Sequence, residues 1–227
     1  MKNILIIGGT KGIGKSIVDN LVDDYNITCL SRNKIDFHHQ NFVHKEFDAL
    51  SDEYPEMDSL DCLIYCPGSI NLKPISTLTI EDFRNDFEIN VIGAVKAIKK
   101  YLPLLKKSPS ASILLFSTVA TKLGMPYHAS VSVAKSGIDG LVKTLGSELA
   151  PKVRINAIAP TITNTDLASK ILRNEKVIEN MIERHPLKKI LSSSEVAKMA
   201  SFLISEDASS ISGQIFNMDA GIVTFKS

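Results

Sequence analysis

The stretch MKNILIIGGTKGIGK, residues 1–15, decides the fold of this chain. Asn3 to Ile7 is a short apolar run rich in β-branched residues. It meets Gly8, Gly9, Gly12 and Gly14, and an amphipathic pattern of Ile13, Ile17, Val18, Leu21 and Val22 begins at once. That order reads as strand, tight turn and helix. Gly8 lets the chain turn with positive φ, Gly12 lets the backbone approach a pyrophosphate without a Cβ in the way, and Gly14 lets the helix lie close on the strand. The free N–H groups and positive dipole end of the helix then face the phosphates. The stretch predicts a dinucleotide-binding turn.

Its spacing is Gly-x-x-x-Gly-x-Gly, with Gly9, Thr10 and Lys11 between the first two glycines, rather than Gly-x-Gly-x-x-Gly. In this it resembles the short-chain dehydrogenase/reductase family, and the resemblance extends over essentially the whole chain. Strands alternating with helices predict an α/β fold: a single doubly wound Rossmann-type domain over residues 1–227, with a seven-stranded parallel sheet and helices on both faces.

Composition agrees with one domain. The chain has 227 residues, 44% hydrophobic and 22% charged, enough for one sizeable core. A net charge of +1 gives no pull toward nucleic acid or an anionic membrane. No apolar run approaches the roughly 20 residues of a membrane span. With the first strand at residue 3, no signal peptide is expected and a cytoplasmic location is. Cys29, Cys62 and Cys66 lack metal-ligand spacing and read as small buried hydrophobes.

Asn26 to Leu30 reads as a second strand, and Ser31, Arg32, Asn33 and Lys34 follow at its end, where an adenosine ribose would lie. An acidic residue there would accept hydrogen bonds from a 2′-hydroxyl. Arg32 would instead pair with a 2′-phosphate, and Lys11 could reach the same group, so NADP(H) is expected over NAD(H), which stays possible. Phe42 to Phe47 alternates as a third strand ending in Asp48 and Ala49; the resemblance places that aspartate against the adenine amino group. Asp61 to Cys66 is a fourth strand running into Pro67 and Gly68. The family usually has Asn-Asn-Ala-Gly there, so Tyr65, Cys66 and Pro67 depart from it, and two amides that brace the sheet are missing.

Thr79 opens a long helix running toward Leu105, bent near its end by Pro103. Within it Asn90-Val91-Ile92-Gly93 resembles the family's Asn-x-x-Gly, whose asparagine holds a helix distortion and a water on a proton path. Ser112 to Ser117 is an apolar fifth strand, 119–127 a loop, and Ser130 to Leu149 a second long helix. Arg154 to Ile158 is a sixth strand, leading into Pro160, Thr161, Ile162 and Thr165. This resembles Pro-Gly-x-x-x-Thr, which implies that backbone near Ile162 and the Thr165 hydroxyl hold a nicotinamide carboxamide; Thr161 stands at the glycine. Residues 166–190 lack a strong apolar face and fall where the family has its substrate lid. Residues 212–221 resemble its closing strand.

The family usually works with a Tyr-x-x-x-Lys pair and a preceding serine. Lys135 is in place, Val131 stands at the tyrosine, and Thr118 at the serine. Four proton routes remain. His128, Val131 and Lys135 share a helix face at i, i+3 and i+7, which makes His128 a candidate donor; the others are the Thr118 hydroxyl, water, and Tyr127, whose offset suits packing better. Hydride chemistry belongs to the cofactor, so losing the tyrosine narrows the substrates to a small carbonyl, imine or enone. The alternatives are a redox sensor or assembly partner that binds cofactor without turnover, and a scaffold that binds none. Apolar residues on several helix faces (Val91, Val95, Ile98, Val133, Ile138, Leu141) predict self-association as a homodimer or homotetramer.

Overall fold

The computed structural model describes residues 1–225. Its strands are β1 (Asn3–Ile7), β2 (Asn26–Ser31), β3 (Phe42–Glu46), β4 (Cys62–Tyr65), β5 (Ala111–Phe116), β6 (Val153–Pro160), the short β7 (Thr163–Asn164) and β8 (Leu191–Ser192), and β9 (Ile215–Met218). Seven of them form one sheet in the order β3-β2-β1-β4-β5-β6-β9, with every pairing parallel. This is the expected Rossmann-like architecture. The helices are α1 (Gly12–Leu21), α2 (Ile80–Phe87), α3 (Gly93–Leu105), α4 (Ala129–Glu148), α5 (Glu175–Arg184) and α6 (Ser193–Ile204).

The sheet is covered on both faces, which is why its central strands read as unbroken apolar runs: β4 and β5 are buried at every residue. The pleat then divides them into two cores. Leu5, Ile7, Leu63, Tyr65, Ile113 and Leu115 face α3 and α4, meeting Ala94, Ile98, Ala134 and Ile138. Ile4, Ile6, Ile64, Leu114 and Phe116 face α1 and α6, meeting Ile17, Val18, Val196 and Leu203. Cys29 and Cys62 are buried free thiols and Cys66 is half-buried, as expected of small hydrophobes.

The long helix expected from Thr79 needs one correction. The helix from Thr79 toward Leu105 is interrupted by a π-helical segment, Glu88–Ile92, between α2 and α3. Polar side chains stabilise it: the Asn90 Nδ2 donates to the Asp86 carbonyl at 2.7 Å, and the Tyr65 hydroxyl to the Ile89 carbonyl at 2.8 Å. Of the apolar residues from which self-association is expected, Val91, Ile98 and Ile138 lie in the chain's own core and Val95 and Leu141 pack against it. The apolar residues left on the surface of these helices are Ile80 and Phe87 of α2 and Val133 of α4, 69, 39 and 57% exposed.

Candidate active site

The strand order reverses between β1 and β4, and in such sheets a crevice opens at the C-terminal ends of the two strands. Here the two following turns meet. The Cys66 N–H donates to the Ile7 carbonyl at 2.9 Å, and a Cβ on Gly8 would stand 3.2 Å from the Pro67 ring. Gly8 and Gly12 have φ of +80 and +52°, a region costly for side chains. A Cβ on Gly14 would come within 2.2 Å of the Gly8 carbonyl oxygen, so α1 lies against the turn itself. The resulting cleft has a volume of about 850 Å³.

Most sequence-predicted site residues line it: Gly8, Thr10, Lys11, Gly12, Ile13 and Gly14 from the turn; Ser31, Arg32, Asp48 and Ala49 along one wall; Cys66 and Gly68 at the floor. At the far end stand Thr118, His128, Lys135, Pro160, Ile162 and Thr165. Two of the predicted residues lie behind the wall. Gly9 is packed under the turn, where a Cβ would meet the Cys29 Sγ at 2.8 Å, so core packing demands that glycine. Asn90 is 1% exposed and sits behind Gly68.

The turn end suits an anion. α1 has no side-chain cap and no acidic residue in its first turn, so its N-terminal dipole faces the cleft uncompensated. Arg32 and Lys11 are exposed on the same rim. On the same wall as Arg32, Asp48 is fixed by the Leu50 N–H, which donates to its Oδ1 at 2.9 Å. The Ser31 hydroxyl is occupied by the Asn33 carbonyl and His44.

The other end is built around Lys135. Its Nζ donates to the Phe116 carbonyl at 2.8 Å, and burial pushes its pKa from the ordinary 10.5 down to about 8. A Cβ on Gly68 would lie 3.1 Å from the Asn90 Oδ1 and 3.5 Å from the Lys135 Nζ. That Oδ1 is buried without a hydrogen-bond partner, so the space above Gly68 is bounded by a free acceptor and a cation. Four residues before Lys135, Val131 is 4% exposed and brings an apolar wall.

Thr118 accepts from the Ala120 N–H at 3.3 Å, which leaves its own O–H to donate. His128 immediately precedes α4, and its Nδ1 lies 2.7 Å from the Pro126 carbonyl. A carbonyl only accepts, so Nδ1 carries the hydrogen and Nε2 donates only as imidazolium. Tyr127 has φ of +68° and is 59% exposed at the cleft mouth.

Sequence reasoning missed Tyr65 as a brace, and the buried pair Thr161 and His185. The His185 Nε2 is 2.7 Å from the Thr161 Oγ1. Both line the cleft, but they lie 24 residues apart, and a single histidine in a polar segment carries no local signal.

A doubly wound parallel sheet with a glycine turn at its switch point and a buried lysine beyond it defines a dinucleotide-binding oxidoreductase fold. Residues 9–223 match the family model described as enoyl-(acyl carrier protein) reductase. A tropinone reductase homologue of Arabidopsis thaliana is 31% identical, over 97% of this chain and 91% of the relative. The 3-oxoacyl-[acyl-carrier-protein] reductase FabG of Buchnera aphidicola is 26% identical, over 97% of each. Among solved structures, ElxO with NADP bound superposes with a TM-score of 0.90 at 26% identity, covering 99% of both chains. The chain belongs to the short-chain dehydrogenase/reductase family, and its relatives mark it as an oxidoreductase.

Proposed function

We propose that the chain is an NADP(H)-dependent reductase of a small enone, imine or carbonyl, with a proton donor other than the tyrosine of its relatives. The observation that carries the reading is Lys135. A buried ammonium at the inner end of the cleft, held by one carbonyl and pushed down to about 8, is maintained at a cost that packing alone does not require.

The cleft fits a dinucleotide. Gly12 bares its backbone toward Thr165 in the cleft, the open N-terminus of α1 would receive the pyrophosphate, and Arg32 and Lys11 would receive a 2′-phosphate. Ile162 and Thr165 hold the nicotinamide, and ElxO, which binds NADP, has the same fold. When bound, the cofactor supplies a hydride. Thr118 then donates a hydrogen bond to the substrate oxygen. Lys135, its pKa pushed down to about 8 by burial, exchanges protons with water in the space over Gly68. His128 in its imidazolium form supplies the proton from the cleft mouth.

The apolar Val131 wall favours an enone, because hydride addition to an enone leaves a delocalised enolate that needs no donor at the moment of transfer and can take its proton afterwards from water or His128. The description of the matching family as an enoyl reductase supports the same class. The chain acts as one domain with residues 166–190 as its lid, in the cytoplasm, and associates with itself through Ile80, Phe87 and Val133. Among the described residues no helix is long and apolar enough to cross a membrane.

The buried Val131 also favours a second reading, a protein that binds NADP(H) and does not turn it over. Titration with NADPH and NADH, followed by single-turnover absorbance against enones, imines, quinones and ketones, separates the two. NADPH binding with oxidation by a panel member, slowed in His128→Ala, is expected. Binding with no oxidation by any member supports the second reading, and no binding of either nucleotide overturns both.

A further inference from the structure

Residues 166–190 cover the cleft with almost no buried side chain of their own. Helix α5 has none, and between Ser169 and Ile190 the only buried residue is His185, at 2% exposure. The segment leaves and rejoins the body at one place, because β7 and β8 pair in parallel and match Thr163 with Leu191 and Asn164 with Ser192. It is a strap closed at its base, and a second hold lies near that base, in the loop after α5.

That hold is a side-chain bond. The His185 Nδ1 lies 2.6 Å from the Met181 carbonyl, one turn back in α5, and the Nε2 lies 2.7 Å from the Thr161 Oγ1. The Met181 carbonyl only accepts, so Nδ1 carries the hydrogen. In the neutral ring Nε2 then accepts, and the Thr161 hydroxyl donates to it. Thr161 is itself fixed to the sheet: it follows β6, and its N–H donates to the Met218 carbonyl at 2.8 Å. With 8 and 2% exposure the two side chains meet away from water, where a hydrogen bond holds best. One main-chain bond supports it, from the Leu187 N–H to the Ala220 carbonyl at 3.0 Å.

We propose that Thr161 and His185 form a latch that holds α5 over the cleft. His185 is then a positioning residue for Met181 and Arg184, the α5 side chains that line the cleft. Opening the latch frees one wall of the site while the sheet and α6 stay folded. Its consequence for cofactor release rests on the NADP(H) reading above; the latch itself does not.

The test uses Thr161→Val, which keeps the shape and removes the donor, beside Thr161→Ser, which keeps the donor. Hydrogen–deuterium exchange is read on the full chain without ligand. The latch predicts exchange over 175–184 about tenfold faster in Thr161→Val, near wild type in Thr161→Ser, and unchanged over α6 and β6. His185→Ala should reproduce the valine variant. Unchanged α5 exchange in Thr161→Val overturns the proposal, and so does a rise spread evenly over the chain. NADPH dissociation, followed by stopped-flow displacement, should quicken in Thr161→Val and not in Thr161→Ser. If α5 loosens while dissociation stays the same, the positioning role falls. If wild type binds no NADPH, the cofactor reading fails while the exchange data still decide the latch.

Discussion

The hydroxyl oxygen of Tyr65 lies 2.0 Å from the point where a Cβ on Gly93 would stand, so the two residues specify each other across the contact between β4 and α3. The same hydroxyl donates to the Ile89 carbonyl inside the π-helical segment. It therefore ties the end of β4, which leads into the cleft floor at Cys66 and Gly68, to the segment that carries Asn90. The sequence departs from its family's amide pair at this strand end, and a phenol supplies the brace instead.

Gly93→Ala should cost about 1–3 kcal/mol through overpacking against the Tyr65 ring. Tyr65→Phe should cost about 1 kcal/mol by removing the donor of the part-buried Ile89 carbonyl. Each removes half of one arrangement, so the double variant should lose less than the sum of the two. Urea denaturation of all four proteins measures the coupling; strict additivity would show that the two residues do not specify each other.

Gly14→Ala places a Cβ 2.2 Å from the Gly8 carbonyl oxygen, and both partners are backbone. No side-chain rotation relieves it, so α1 must move off the turn. We expect a stability loss of about 1–3 kcal/mol and NADPH binding at least about tenfold weaker. Retained affinity would mean that the turn does not carry the phosphates.

The parts of the molecule that were legible in the sequence are those whose cause is local. The β1 turn announces itself because Gly8, Gly12 and Gly14 act on neighbours a few residues away, and β4 and β5 because burial on both faces leaves unbroken apolar runs. What was hidden depends on partners distant in sequence. Tyr65 and Gly93, or Thr161 and His185, meet only once the sheet has formed. Periodicity predicted one helix through Asn90, because a π-helical segment adds a residue per turn without altering composition. Motif position counts Gly9 with the cofactor turn, whereas a Cβ there would meet the Cys29 Sγ, so its demand comes from the core behind the turn. Segment 166–190 does not lack an apolar face, although its composition suggested so: Val177, Ile178, Met181 and Ile182 gather on one side of α5, but none of them is fully buried, because the helix lies outside the two cores.

Lys135 makes stability depend on pH in a stated direction. Its pKa is about 8 in the folded chain against an ordinary 10.5, so between those values the unfolded chain binds more protons and stability rises with pH. Below 8 the buried ammonium costs its full desolvation. In Lys135→Met that contribution is absent. Between pH 7 and 10.5 wild type should therefore gain about 3 kcal/mol relative to the variant, read by chemical denaturation at each pH. A constant difference would mean that Lys135 titrates normally.

Arg32 and Lys11 decide the preference between nucleotides if they meet a 2′-phosphate at the cleft rim. A charge-assisted hydrogen bond lost from such a group is worth about 1.5–3 kcal/mol, so Arg32→Ala should weaken NADPH about ten- to a hundredfold while leaving NADH nearly unchanged. Lys11→Ala should act in the same direction but less, because an ammonium cannot match a phosphate with two bonds as a guanidinium does. The two residues would share one phosphate, so their effects should not add. Both are exposed, and the NADPH advantage should shrink as salt is raised. Arg32→Asp should go further and reverse the preference, since a carboxylate repels the 2′-phosphate and accepts from a 2′-hydroxyl. Calorimetric titration of the three variants and of the Arg32→Ala/Lys11→Ala double variant with both nucleotides checks each step. Equal weakening of NADPH and NADH by Arg32→Ala would place the arginine on the shared part of the cofactor and remove the basis for an NADP preference.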